Sequence, residues 1–137
     1  MQDRIRGENN MCFGCSQTNP IGLKLKFSLD GDICSTEFEA KEHHQGWNGF
    51  MHGGLIAALL DETMAWWLWF KDYSIMTVEM KTRYSFGVPI NTKLKVESWC
   101  EEIKRDRIYI MAGRITLPDG QIAVKSTAKF MKIKTQK

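Results

Sequence analysis

The chain has 137 residues, 43% hydrophobic and 26% charged, which is the composition of a globular domain and excludes a disordered chain. Its length suits a single domain over residues 1–137 and leaves little room for a second. Lys and Arg number 19 and Asp and Glu 16, for a net charge of +3, which does not argue for a nucleic-acid partner.

The chain opens on "MQDRIRGENN", a polar stretch with no apolar core region, so no secretory signal is expected. No apolar run reaches the ~20 residues that a membrane span needs, and a cytoplasmic location is expected. Residues 1–22 read as irregular, with Asn19, Pro20 and Gly22 as breakers. Cys12 and Cys15 form a C-x-x-C there, "CFGC". The other two cysteines are Cys34 and Cys100. A zinc site takes about four ligands, and no second pair sits at a usual spacing. His43 and His44 are adjacent and expected to diverge. Thioredoxin-like chemistry needs the motif at a strand-to-helix junction, whereas "SQTNPIG" after it reads as a turn. No metal is therefore expected.

From Leu23, "LKLKFSL" alternates apolar and polar like a half-buried strand. Asp30-Gly31-Asp32 reads as a tight turn into a second strand, "ICSTEFE", which makes a hairpin. Residues 40–51 read as a loop rich in His, Gly and Asn. Residues 53–70 read as the one helix, built of helix formers without proline and roughly 27 Å long. It is apolar almost all round, which predicts burial on most sides. After Lys71-Asp72, "SIMTVEMKTRYS" reads as a strand, and Val88-Pro89 and Asn91 as a turn. "TKLKVESWCEEI", "RIYIMAGRIT" and, after Pro118-Asp119-Gly120, "QIAVKSTAKFMKIK" are three more strands. Short turns make those three antiparallel neighbours. The pattern predicts an α+β fold, an antiparallel sheet curled around one helix. The lysines of "KFMKIKTQK" read as a solvated strand face or tail, or as a rim for a phosphate-bearing ligand.

Two carboxylates interrupt the buried helix. The neighbours of Asp61 three and four positions away are Ala57, Ala58, Met64 and Ala65, none of them a cation. Its carboxyl is then either desolvated, with a raised pKa, or aimed at a cleft. It suits a general base or nucleophile, or else a subunit contact satisfied by backbone amides. Glu62 points about 100° away around the helix and is expected at a helix edge or an interface. At the helix start lies His52-Gly53-Gly54. The first N–H groups of a helix have no intrahelical partner, and glycines let a ligand approach the backbone closely. Such N–H groups can hold an oxyanion. His52 suits either a cap or core histidine or a ligand-positioning one.

These residues carry a resemblance. "HGGLIAALLDE" followed by "MTVEMKTRYSFGVP" resembles the hotdog-fold acyl-CoA thioesterases, in the branch related to phenylacetyl-CoA thioesterase. "CFGCSQTNPIGLKLKF" and "HHQGWNGFMHGG" are similar to one bacterial subgroup of that branch, and the likeness spans about residues 12–133. The resemblance implies a long helix wrapped by an antiparallel sheet, and homodimers or homotetramers with active sites at the subunit interface. It implies hydrolysis of acyl-CoA thioesters to the free acid and coenzyme A, with coenzyme A as part of the substrate and no separate cofactor. Asp61 matches the catalytic acid, Gly53 and Gly54 the backbone donors to the thioester oxygen, and His52 the loop histidine. Thr77 matches a strand position that helps place the water. Many relatives carry an Asn six positions before the His, where this chain has Gly46. Asn48, and after it Gln45, are the replacements expected. Trp66, Trp67 and Trp69 read as core or dimer packing, with one or two, Trp66 first, as alternative walls of an acyl pocket. Arg83 and the late lysines are candidates for the nucleotide phosphates.

Other readings stay open beside hydrolysis. One is a non-catalytic acyl-CoA binder or sensor on the same fold. Another is a small metal or redox module on Cys12 and Cys15. A dehydratase fits the arrangement of histidine and acid less well.

Overall fold

A computed structural model describes residues 10–133. It contains six strands and one α-helix: β1 (Ser28–Asp30), β2 (Ile33–Glu39), α1 (Gly53–Phe70), β3 (Ile75–Tyr84), β4 (Lys93–Lys104), β5 (Ile108–Thr116) and β6 (Ile122–Lys132). The strands form one antiparallel sheet in the order β1-β2-β4-β5-β6-β3. The predicted neighbours β4, β5 and β6 pair as expected. Strand β3 crosses over to the far side of β6 and forms one edge of the sheet.

The sheet curls around α1, which touches every strand from β2 to β6. Leu59, Leu60, Met64 and Leu68 of the helix are fully buried against Leu94, Val96, Met111, Ile115, Val124 and Phe130. This wrapping accounts for the helix's greasiness on nearly all sides. Close approach needs a gap in the sheet at Gly113, where an added Cβ would sit 3.3 Å from Leu60 Cδ2 and 3.5 Å from Met64 Cγ. Ser98 closes another gap, donating 2.8 Å to the Thr63 carbonyl inside the helix.

The start of the first predicted strand is corrected. Leu23 and Leu25 are buried, but the ladder begins only at Ser28. Lys24 has a φ of 53°, a left-handed conformation that breaks an extended run. The amides of Leu23 and Leu25 bond instead to the carbonyls of Phe13 and Gly14, at 2.8 and 2.9 Å. The segment is thus tied to the C-x-x-C loop rather than to the sheet. The loop after β2 contains a short 3-10 turn, Glu42–His44. The adjacent His43 and His44 do not diverge, because that turn brings their rings to 4.1 Å. Among the described residues no helix is long and apolar enough to cross a membrane.

Candidate active site

The helix start is built by the loop before it. The amide of His52 bonds to His44 O at 2.9 Å, and that of Met51 to Val88 O at 2.8 Å. His52 is the N-cap, in an extended conformation, and its Nδ1 accepts from Gly54 N at 2.9 Å. Its carbonyl accepts from Ile56 N at 3.0 Å. Two first-turn amides are thereby used. Of the two expected oxyanion donors, Gly54's N–H is held by the cap, and Gly53's lies outside both bonds. Gly53 is positioned by a residue that the sequence did not single out. Tyr84 donates its hydroxyl to Gly53 O at 2.8 Å, and its ring lies 3.8 Å from where a Gly53 Cβ would be.

Gly53 opens onto a cleft of about 820 Å³ lined also by Trp47, Asn48, Phe50, Ile56 and Tyr84. Trp47, Phe50, Tyr84 and Phe86 are exposed at its rim. Large apolar rings left in water around a cleft mark a surface built for a ligand or partner. Gly87 makes room for one of them, since its Cβ would meet the Phe50 ring at 2.8 Å. These aromatics were missed, although "QGWNGF" and "RYSFG" interleave rings with glycine in a way that could have drawn notice. Asn48 lines the cleft. Gln45 does not. Its Nε2 donates to Glu42 O at 2.8 Å, and its Oε1 accepts from Gly49 N, so it braces its own loop. Gly46 packs under the cap, with an added Cβ only 3.2 Å from His52 Cα.

Asp61 lies two turns further along, half-buried. Thr77 Oγ1 donates to its Oδ1 at 2.7 Å. Burial pushes the Asp61 carboxyl above the ordinary aspartate value, and the Thr77 bond partly opposes this. Asp61 and Gly53 are eight residues apart, so the helix separates them by about 12 Å.

Glu62 is not a helix-edge charge. It lies beneath the "CFGC" loop, where Cys12 Sγ donates to its Oε1 at 3.5 Å and Oε2 is buried without a partner. Burial pushes its carboxyl up to about 7, opposed chiefly by the Cys12 bond and increased by the Asp61 charge. The Cys15 thiol is pushed up to about 12, again by burial first. Trp66 packs on this side too, stacked on Phe27 at 5.3 Å and edge-on to Trp69. It packs there and is not among the residues lining the cleft at Gly53. Arg83 lines a second depression of about 680 Å³ over the sheet, with Lys81, Arg114 and Lys125. The two depressions meet at Ser85.

Comparison with known proteins gives a consistent picture. The sequence profile of the thioesterase superfamily matches residues 48–121. The rat acyl-coenzyme A thioesterase THEM4 is 27% identical over 100 residues, which cover 73% of this chain and 43% of THEM4. The chain thus spans less than half the length of the curated relatives it matches. A crystal structure of a thioesterase superfamily protein superposes with a TM-score of 0.79 at 24% identity, covering 85% of this chain and 60% of that one. A hypothetical thioesterase of Streptococcus pneumoniae, solved with coenzyme A, gives 0.74 at 15% identity, over 82% of this chain and 88% of that one. The thioesterase of that description was also solved with an aspartate, and separately a threonine sixteen residues further on, replaced by alanine.

Proposed function

Because this chain belongs to the thioesterase superfamily and has the hotdog fold of its structural neighbours, we propose that it hydrolyses acyl-CoA thioesters to the free acid and coenzyme A. The observation that carries the proposal is the Thr77–Asp61 hydrogen bond on a carboxylate set in an apolar helix. A desolvated carboxylate is a stronger base than one in water, and a hydroxyl beside it fixes its orientation. Asp61 takes a proton from water, whose oxygen adds to the thioester carbonyl. The oxyanion is held by an N–H at a helix start. Collapse expels the coenzyme A thiolate, which recovers the proton from Asp61. The same sixteen-residue separation of aspartate and threonine in the pneumococcal variants supports the choice of this pair.

The rise of about 12 Å along the helix from Gly53 to Asp61 supports a site shared by two chains. In this reading Asp61 of one protomer works opposite Gly53 of the partner subunit. Strand β3 carries Thr77 along one edge of the sheet, with Met76 and Val78 exposed beside it, which suits a homodimer built on that edge. Dimers pairing into tetramers belong to the same proposal. Asn48 polarises the carbonyl from the cleft, and the aromatic rim receives the acyl group. Lys81, Arg83 and Lys125 suit the nucleotide phosphates, reached past Ser85. Four free thiols fit a cytoplasmic setting.

The test is thiol release from phenylacetyl-, hydroxybenzoyl- and straight-chain acyl-CoAs, with Asp61→Asn beside the wild type. Turnover lost in the variant is expected. A second reading, a non-catalytic acyl-CoA binder, draws on Gly46 standing where many relatives have Asn. Silence across the panel with binding retained by calorimetry would favour it.

A further inference from the structure

We propose that Cys12, Cys15 and Glu62 form a binding site for a zinc-class divalent cation, held by two thiolates and one carboxylate oxygen. The two Sγ atoms and a Glu62 carboxylate oxygen all lie within 4.8 Å of one another. Ordinary Zn–S and Zn–O bonds of about 2.3 and 2.0–2.2 Å, at tetrahedral angles, place sulfur and oxygen about 3.5 Å apart. The Cys12 Sγ to Glu62 Oε1 distance is 3.5 Å.

Thiol-to-carboxylate contacts reach Glu62 from both cysteines. Glu62 Oε2 is buried with no hydrogen-bond partner, so the carboxylate is under-compensated, and a cation beside it offsets that cost through its charge. The loop is also shaped to the task. Gly14 lies so close over Glu62 that an added Cβ would sit 2.2 Å from its Cγ, so "CFGC" fits this carboxylate only with glycine at its third position. The amide of Cys15 donates to Cys12 Sγ at 3.3 Å, which fixes the position of that sulfur. Asn10 Oδ1 and the Cys12 carbonyl hold the turn, accepting from the amides of Cys12 and Ser16 at 3.0 and 3.1 Å. Two thiolates select a soft or borderline ion such as zinc over magnesium or calcium. Three protein ligands leave one tetrahedral corner for water.

Such an ion clips the N-terminal segment to α1 one residue from Asp61. The inference does not depend on turnover of acyl-CoA. Protein purified under reducing conditions is assayed for zinc by mass spectrometry and titrated with Co²⁺. The expected result is one ion per chain and a sulfur-to-cobalt charge-transfer band with tetrahedral d–d bands. Cys12→Ser with Cys15→Ser removes the band, Glu62→Gln weakens binding roughly tenfold or more, and Cys100→Ser leaves the band in place. Wild-type protein that binds neither ion overturns the proposal. So does a band that survives in the double serine variant or disappears in Cys100→Ser.

Discussion

Thr77 Oγ1 donates a 2.7 Å hydrogen bond to Asp61 Oδ1, fastening edge strand β3 to the middle of the wrapped helix. A donor to the ionised carboxylate lowers its pKa, here against a rise caused by burial. Thr77→Val removes the donor and leaves the burial. The acid limb of kcat/KM, governed by loss of ionised Asp61, is therefore expected to move to higher pH. Asp61→Asn should lower kcat by ~10²-fold or more while acyl-CoA affinity stays within a few-fold. A Thr77→Val profile that overlays the wild type would remove the base role from Asp61.

The N–H of Gly53, the proposed oxyanion donor, can be deleted without disturbing the helix. Gly53 is the first helical residue, and His52 before it has φ −61° and ψ 133°, a conformation that a following proline prefers. Gly53→Pro should fold normally by circular dichroism and lose ~10²–10³-fold in kcat. If the proposed dimer shares its sites, mixing Gly53→Pro with Asp61→Asn and allowing subunits to exchange should restore activity, because one of the two sites then has both an intact Asp61 and an intact Gly53. Mixtures no more active than the parents would place both groups' work within one chain.

Gly14→Ala puts a methyl carbon 2.2 Å from Glu62 Cγ. Overpacking of this kind costs about 1–3 kcal/mol. Adding Glu62→Ala should recover most of that loss, which denaturant unfolding of the two single variants and the double variant would measure as a coupling between neighbours. Simple additivity would mean that the loop moves aside freely.

In metal-free protein Glu62 holds its proton more tightly folded than unfolded, with a folded value of about 7. The folded state then binds more protons than the unfolded chain between the ordinary glutamate range and about pH 7. Stability from this group is present below that window and is lost as pH rises through it. Glu62→Gln should flatten that part of the stability profile. An unchanged slope in the variant would assign the dependence to another group.

Much of the fold was legible because its signals are local. Proline-free apolar residues from Gly53 to Phe70 marked the helix to the residue, and alternation with Gly, Pro and Asp turns marked β2 to β5 within one residue; the last strand was read to residue 134, outside the described residues, whereas β6 ends at Lys132. Strand β1 was overextended, since nothing local in "LKLKF" reveals that Leu23 and Leu25 bond to the C-x-x-C loop. Asp61, Thr77, His52 and Gly53 stood out through charge in an apolar run, glycine at a helix start and their likeness to a family. Tyr84, Phe50 and Trp47 did not, because aromatics at a cleft rim look like any other strand and loop aromatics until the cleft exists.

What the sequence determined by itself was the set of elements and the chemical oddity of an acid inside a buried helix, both consequences of nearest-neighbour periodicity and composition. The tertiary structure decided which groups meet. It brought Thr77 to Asp61 across sixteen residues, Tyr84 to Gly53 across thirty-one, and Cys12 to Glu62 across fifty. Those contacts follow from β3 crossing to the far edge of the sheet and from the N-terminal segment folding back over α1. Both are settled by how the whole apolar surface is buried, a property that no short stretch of chain contains.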